Sequence, residues 1–457
     1  MPNMQYCLFL FETKSVMNRL NSSAYRLLIP IIFGAFVWMG CAPVKKLDAP
    51  AEANPLAQFL TVPVIAHAHA GVLVVDAQTG DTLAAHQPHK YFVPASNTKL
   101  WSMYAGLKYL GDSLVGGWIS PINDSVVYFK SNGDPSFLHR DYSSQPLRDK
   151  LQQYKTVKWV NPMQSGFYGS GWAWNDYEAT YSAPRSSMPL YGNEVHFSLE
   201  NGRLVSEPEV VARFFTNHKS GDRYPDGFAL SRSFDGSLFW ADTGRQKTAA
   251  TTLYPSPLFS STLAGMILGN LWEISPEPAA INWQPVYTQP TDSVLRPMMQ
   301  RSDNHFAEQT LLMAGQKLNG SLNDRRAINK LLETDLAGMP DAPRWADGSG
   351  LSRYNMFSPA DYIWLLDKIS KEFPQERINH ILPTGGQGTL RTLYQDLSGK
   401  IHAKTGTLNN VVALSGYLDT RQGKKLLFSV LVNNHNGQAN EVRKTIEVFL
   451  TEMHKRH

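Results

Sequence analysis

The sequence predicts an α+β chain in two halves, set apart by a long stretch of different character. Gly71–Asp76 is an apolar strand, Thr79-Gly80-Asp81 a turn and Thr82–Ala85 its return, with a helix directly after. Near the other end, Val411–Leu418 and Leu426–Asn433 read as strands joined by Thr420-Arg421-Gln422-Gly423. A terminal helix follows over Glu441–Met453, with Val442, Ile446, Phe449 and Leu450 on its apolar face. Between the halves, residues 112–285 are rich in Gly, Pro and aromatic residues. They carry only short strand-like runs such as Val126–Lys130 and Thr156–Val160.

A chain of 457 residues, 42% hydrophobic and 18% charged, is long enough for two or three domains. Its formal charge of +4 comes without long basic runs, so nucleic acid is not an expected partner. Leu27–Gly40 is an uncharged run of 14 residues behind Arg19 and Arg26, too short for a comfortable transmembrane helix. It suits the apolar core of a secretory signal over residues 1–40, with Asn18 and Arg19 as its head and Met17 as an alternative start. Gly40-Cys41 reads as a lipoprotein junction that leaves a lipidated Cys41, although Trp38 stands where such signals usually carry Leu. An uncleaved anchor, or ordinary cleavage near Ala42, is the other reading. Residues 41–60 then form a tether to a membrane surface. Cys7 and Cys41 are the only cysteines, so the mature fold is expected to hold no disulfide. His67 and His69 alternate, and His86 and His89 have helical spacing, but no carboxylate or cysteine cluster joins them. They read as surface histidines, and neither a metal nor a cofactor is expected.

The helix after the first hairpin opens at Val93-Pro94-Ala95-Ser96-Asn97-Thr98-Lys99-Leu100. Pro94 ends the extended chain, Ser96 and Asn97 are good helix starters, and Leu100, Met103, Leu107 and Leu110 mark one face. Ser96 and Lys99 share a face at this spacing. A serine needs a base to become a nucleophile, and a helix start offers N–H groups to an oxyanion. A free ammonium titrates near 10.4, so a lysine base must be lowered at a cost of roughly 4 kcal/mol, through burial and a second cation. By itself, Ser-x-x-Lys also fits a capped helix with an exposed lysine. Ser302-Asp303-Asn304 and Lys404-Thr405-Gly406, followed by Thr407, complete a three-motif pattern in this chain order.

That pattern resembles the penicillin-recognising serine hydrolases, β-lactamases and penicillin-binding proteins. The likeness narrows further on Gly133-Asp134-Pro135-Ser136, Gly171-Trp172-Ala173-Trp174-Asn175-Asp176, Asp347-Gly348-Ser349-Gly350-Leu351-Ser352-Arg353, Gly388-Thr389-Leu390 and His402–Leu408. These segments are similar to peptidase family S13, the D-alanyl-D-alanine carboxypeptidases and endopeptidases called type-4 penicillin-binding proteins (DacB-like). The likeness covers most of residues 71–435 and is weakest between about 195 and 285. It implies a β-lactamase/transpeptidase-like α+β fold, an antiparallel sheet flanked by helices. Residues 61–111 and 286–457 would be its two parts and 112–285 a large inserted domain. The six aromatics between Phe167 and Tyr181 read chiefly as the core of that insert, with glycan or stem-peptide binding as the other possibility.

The resemblance also implies roles. Ser96 attacks the carbonyl between two terminal D-alanines, and Lys99 accepts its proton. Ser302 relays a proton to the leaving amine, Asn304 orients Lys99 and the substrate, and Lys404 supplies the second cation. Thr405, Gly406 and Thr407 form the substrate-binding segment: Thr405 and Thr407 help to hold the terminal carboxylate, and the N–H groups of Ser96 and Thr407 bind the oxyanion. The partners implied are peptidoglycan stem peptides ending in D-Ala-D-Ala, with β-lactams as inhibitors. The location implied is the bacterial cell envelope, on its periplasmic side. A β-lactamase would need a Glu followed three and four places on by Leu and Asn, and no Glu here has that context. A non-catalytic peptidoglycan-binding lipoprotein would have no use for Ser96, Lys99, Ser302 and Lys404 together.

Overall fold

The computed structural model describes residues 54–457, apart from 161, 164–165, 202, 216–227 and 244–247. The signal segment and Cys41 lie outside the described residues. Within the stretch read as a tether, Asn54 caps a helix over Pro55–Thr61 whose Phe59 is buried, its ring 5.3 Å from that of Phe449. Among the described residues, no helix is long and apolar enough to cross a membrane.

The two ends of the chain build one antiparallel sheet of five strands. In order across it they are Ile401–Leu408, Val411–Asp419, Lys425–Asn433, His69–Asp76 and Thr82–His86. Side chains alternate between faces along a strand, and both faces here are covered. Ala413, Tyr417, Leu427 and Leu431 join a core with Leu100, Met103, Phe306, Leu311 and Leu366 from the helices Lys99–Tyr109, Asn304–Asn319 and Pro359–Glu372. Val72, Val74, Leu414, Phe428 and Val430 face the other way, onto Val442, Ile446 and Phe449 of the terminal helix Ala439–Arg456. A fully buried Val, Leu or Phe is worth about 1.5–3 kcal/mol, so both helical layers are strongly held. This is the predicted α+β arrangement.

The stretch from Ser113 to Pro290 builds sheets of its own. One five-stranded sheet runs Leu271–Ser275, Thr156–Val160, Val126–Ser131, Ser113–Pro121 and Gln284–Pro290, so the segment's entering and leaving strands lie side by side. Its own core includes Phe129, Val157, Trp159, Phe197 and Trp272. His69 stacks on Phe92 with ring centroids 4.0 Å apart, and His89 pairs with Asp341 at 3.1 Å.

Candidate active site

Ser96 does not sit within an α-helix. Ala95–Thr98 forms a single 3₁₀ turn and the α-helix starts at Lys99, without any side-chain cap. The helix is buried from Lys99 to Leu107, not on one face alone, because the sheet and the helices Thr291–Gln300, Asn304–Asn319 and Pro359–Glu372 enclose it. Before the turn, Ala95 is buried with a φ of 49°, a left-handed conformation that a residue with a Cβ adopts only under constraint. The constraint is visible. A Cβ on Gly350 would lie 1.9 Å from the Ala95 carbonyl oxygen, and Gly350 itself has a φ of +86°. Gly350→Ala is therefore expected to displace the serine turn. We expect it to slow acylation by penicillin at least tenfold, about 1.4 kcal/mol on the barrier, which stopped-flow labelling would measure.

Lys99 is completely buried. Its Nζ lies 3.0 Å from Ser96 Oγ, 2.5 Å from Asn304 Oδ1 and 2.7 Å from the Ser349 carbonyl oxygen. Burial lowers its pKa to about 8, against the opposing pull of the Asp347, Glu308 and Asp303 charges. The expected second cation is present, but burial and not that cation lowers Lys99. Lys404, also fully buried, is lowered well below its ordinary value by burial and then by the charge on Lys99. Two ammoniums enclosed together compete for one positive charge. Lys404 Nζ donates to Ser302 Oγ at 3.0 Å and to the Thr405 carbonyl oxygen at 2.7 Å.

Ser302 precedes the helix Asn304–Asn319 with a φ of 63°, while Asp303 caps that helix by accepting from the Phe306 N–H at 3.0 Å. The motif is thus divided: the serine lies on the turn before the helix and the asparagine on its first residue. Ile401–Leu408 is the edge strand of the sheet, and Gly406 lets it pass close to the serine turn. A Cβ there would be 2.5 Å from the Pro94 carbonyl oxygen. Ser96, Ser302, Asn304 and Thr407 all line one cleft of about 910 Å³. The predicted residues Ser96, Lys99, Ser302, Asn304 and Lys404 are brought together, and Thr405 to Thr407 run beside them.

Several groups around the cleft escaped the sequence reading. From the middle stretch, whose aromatics read chiefly as core, Gly171, Trp172, Asp176 and Tyr181 form one wall, and Asn304 Nδ2 donates to the Tyr181 carbonyl oxygen at 2.7 Å. The six aromatics divide. Phe167 is buried on Tyr254, and Tyr168 and Tyr177 surround Arg232. Trp172 and Tyr181 line the cleft, and Trp174 is 76% exposed. The loop from Asp347 to Arg353 is folded around the buried Asp347 carboxylate. That carboxylate accepts from the Gly350 and Ser352 N–H groups at 2.9 and 2.7 Å and from Trp172 Nε1 at 2.8 Å.

Behind this loop lies a buried ionic group. Glu308, one turn after Asn304, accepts from the Ser349 N–H at 2.7 Å, and Ser349 in turn accepts from Lys99. Arg185, from the middle stretch, reaches Glu308 at 3.4 Å and Asp324 at 2.5 Å. Burial and the nearby Asp347 charge push the Glu308 pKa up to about 7, against the pull of Arg185.

The chain is similar to known proteins in sequence and in fold. A model of the D-Ala-D-Ala carboxypeptidase 3 (S13) family matches residues 52–213 and 285–453, and its gap falls where the sequence likeness was weakest. A D-alanyl-D-alanine carboxypeptidase of Actinomadura sp. (strain R39) is 25% identical over 465 aligned positions, covering 86% of this chain and 83% of that protein. The D-alanyl-D-alanine carboxypeptidase DacB of Haemophilus influenzae is 27% identical over 441, covering 86% and 91%. The crystal structure of penicillin binding protein 4 (dacB) from Haemophilus influenzae superposes with a TM-score of 0.70. At 20% identity it covers 88% of this chain and 99% of that one, and attests the fold. With more than half of its length matched by the family model, this chain belongs to the D-Ala-D-Ala carboxypeptidase 3 (S13) family.

Proposed function

We propose that this protein is a penicillin-binding serine D-alanyl-D-alanine carboxypeptidase that trims peptidoglycan stem peptides and also acts as an endopeptidase on their crosslinks. Residues 61–111 and 286–457 form the catalytic domain and 112–285 the inserted one. It works in the bacterial cell envelope, held at the membrane surface by a lipid on Cys41.

The observation that carries this reading is the set of partners around Lys99. A neutral amine has two N–H groups and one lone pair. Asn304 Oδ1 and the Ser349 carbonyl oxygen can only accept, so they take the two N–H groups. The lone pair is left for the Ser96 hydroxyl, 3.0 Å away. Ser96 Oγ attacks the carbonyl between the two D-alanines as its proton passes to Lys99. The oxyanion is received by the backbone N–H groups of Ser96 and Thr407, each donor worth about 3 kcal/mol. Ser302, held by Lys404, hands a proton to the departing D-alanine nitrogen. Thr405 and Thr407 hold the carboxylate of the departing residue, and water then releases the acyl chain from Ser96. A β-lactam offers the same carbonyl but keeps its leaving nitrogen attached, so it traps the acyl-enzyme.

The test is to incubate the ectodomain with a fluorescent penicillin, then with muropeptides, and to weigh the products. Released D-alanine and split dimers are expected, and Ser96→Ala is expected to abolish both label and product. Label lost within seconds, or none at all, would overturn the reading. The pH dependence follows from the base. Because the neutral amine is the active form and its pKa is about 8, acylation should rise with pH through that value and level off above it. A rate that falls over pH 7 to 9 would exclude Lys99 as the base.

A further inference from the structure

We infer that Arg443 is a specificity-determining residue: bonded to Thr407, its guanidinium turns that hydroxyl's hydrogen into the cleft and favours substrates whose last residue carries a free carboxylate. The inference rests on the proposed activity, in which Thr407 meets that carboxylate. Arg443 stands on the terminal helix, half-buried behind the end of the edge strand. Its Nη2 donates to Thr407 Oγ1 at 2.8 Å, and Asn440 Oδ1 steadies Nη1 at 2.6 Å. A threonine hydroxyl has one hydrogen and two lone pairs. Since the guanidinium can only donate, Thr407 must accept from it, which leaves the hydroxyl hydrogen for another partner. Among the described residues no protein acceptor takes that hydrogen, and Thr407 is an exposed residue lining the cleft.

No carboxylate lies within ion-pair distance of Arg443 among the described residues, whereas Arg185, Arg301 and Arg377 all have one. Part-burying a cation without an anion is costly unless one arrives. A carboxylate in the cleft would accept the Thr407 hydrogen and meet the Arg443 charge through it. A carboxamide at the same place brings no charge and competes with its own N–H groups.

The experiment compares a peptide ending in D-Ala-D-Ala with the same peptide ending in a carboxamide, and in parallel penicillin G with its methyl ester. We expect the parent to prefer each free acid. Arg443→Ala should lower kcat/KM for the acid peptide by about tenfold or more, mainly through KM, and leave the carboxamide within about twofold. The ratio of acylation rates for penicillin and its ester should collapse in the same way, and Arg443→Lys should restore part of it. Equal losses on acid and neutral substrates, or an unchanged ratio, would overturn the inference. If the parent cleaves neither peptide, the proposed peptidase activity fails. The inference is still decided by the penicillin pair, and a parent that reacts with neither penicillin overturns both.

Discussion

A Lys99→Met variant is expected to acylate Ser96 about 10²–10⁴-fold more slowly than the parent while losing little stability. The two outcomes have separate causes. Removing the amine removes the group positioned to take the serine proton at 3.0 Å. Stability is a balance. Lys99 is fully buried and its pKa falls from 10.5 to about 8, and each unit is worth about 1.4 kcal/mol. Below pH 8 the lysine is charged in both folded and unfolded chains, so burying it opposes folding by roughly 3 kcal/mol. That opposition fades as pH rises from 8 towards the unfolded value. Methionine relieves it but leaves Asn304 Oδ1 and the Ser349 carbonyl oxygen without their donor, at about 1–3 kcal/mol each. The terms nearly cancel. Labelling kinetics alongside urea unfolding would check both, and labelling within tenfold of the parent would count against the proposed base.

Arg185→Leu is expected to cost about 3–5 kcal/mol of stability, because it leaves Glu308 buried without its cation. The loss should extend to catalysis. Glu308 titrates near 7 even with Arg185 beside it. Without the guanidinium its pKa rises further, so the carboxyl is neutral at pH 7. Its charge is one of those that hold the Lys99 pKa up. With that charge gone, the Lys99 pKa falls, and the rising limb of the acylation profile should move to lower pH. Pairing Arg185→Leu with Glu308→Gln should recover much of the stability by removing the orphaned carboxyl. If the single variant unfolds within 1 kcal/mol of the parent, by the scale of surface changes, the ion group adds little.

Much of the catalytic cleft was readable beforehand, for a physical reason. Ser96 with Lys99, Ser302 with Asn304, and Lys404 fall in three short motifs, and spacing within a few residues is written in sequence. The sheet and terminal helix were legible from their period, to within two or three residues at each end. What escaped depends on contacts between distant segments. The Ser349 group facing Lys99 is a backbone carbonyl, which any residue type would supply. The left-handed Ala95 leaves no mark, since alanine carries no turn preference. Arg185 and Glu308 lie in separate parts of the chain, and only folding pairs them. Glu308 gave the best available hint, one helical turn beyond Asn304 and so facing the same neighbours. Trp172 and Tyr181 misled because an aromatic cluster reads as core whichever way half of its rings turn.

The strand His69–Asp76 is hydrogen-bonded to Lys425–Asn433, the last strand before the terminal helix. A chain made in sequence order therefore carries Ser96 long before it carries the partner strand or the amine of Lys404. Such long-range pairing makes for slow folding. It also means that an incomplete chain cannot assemble the cleft.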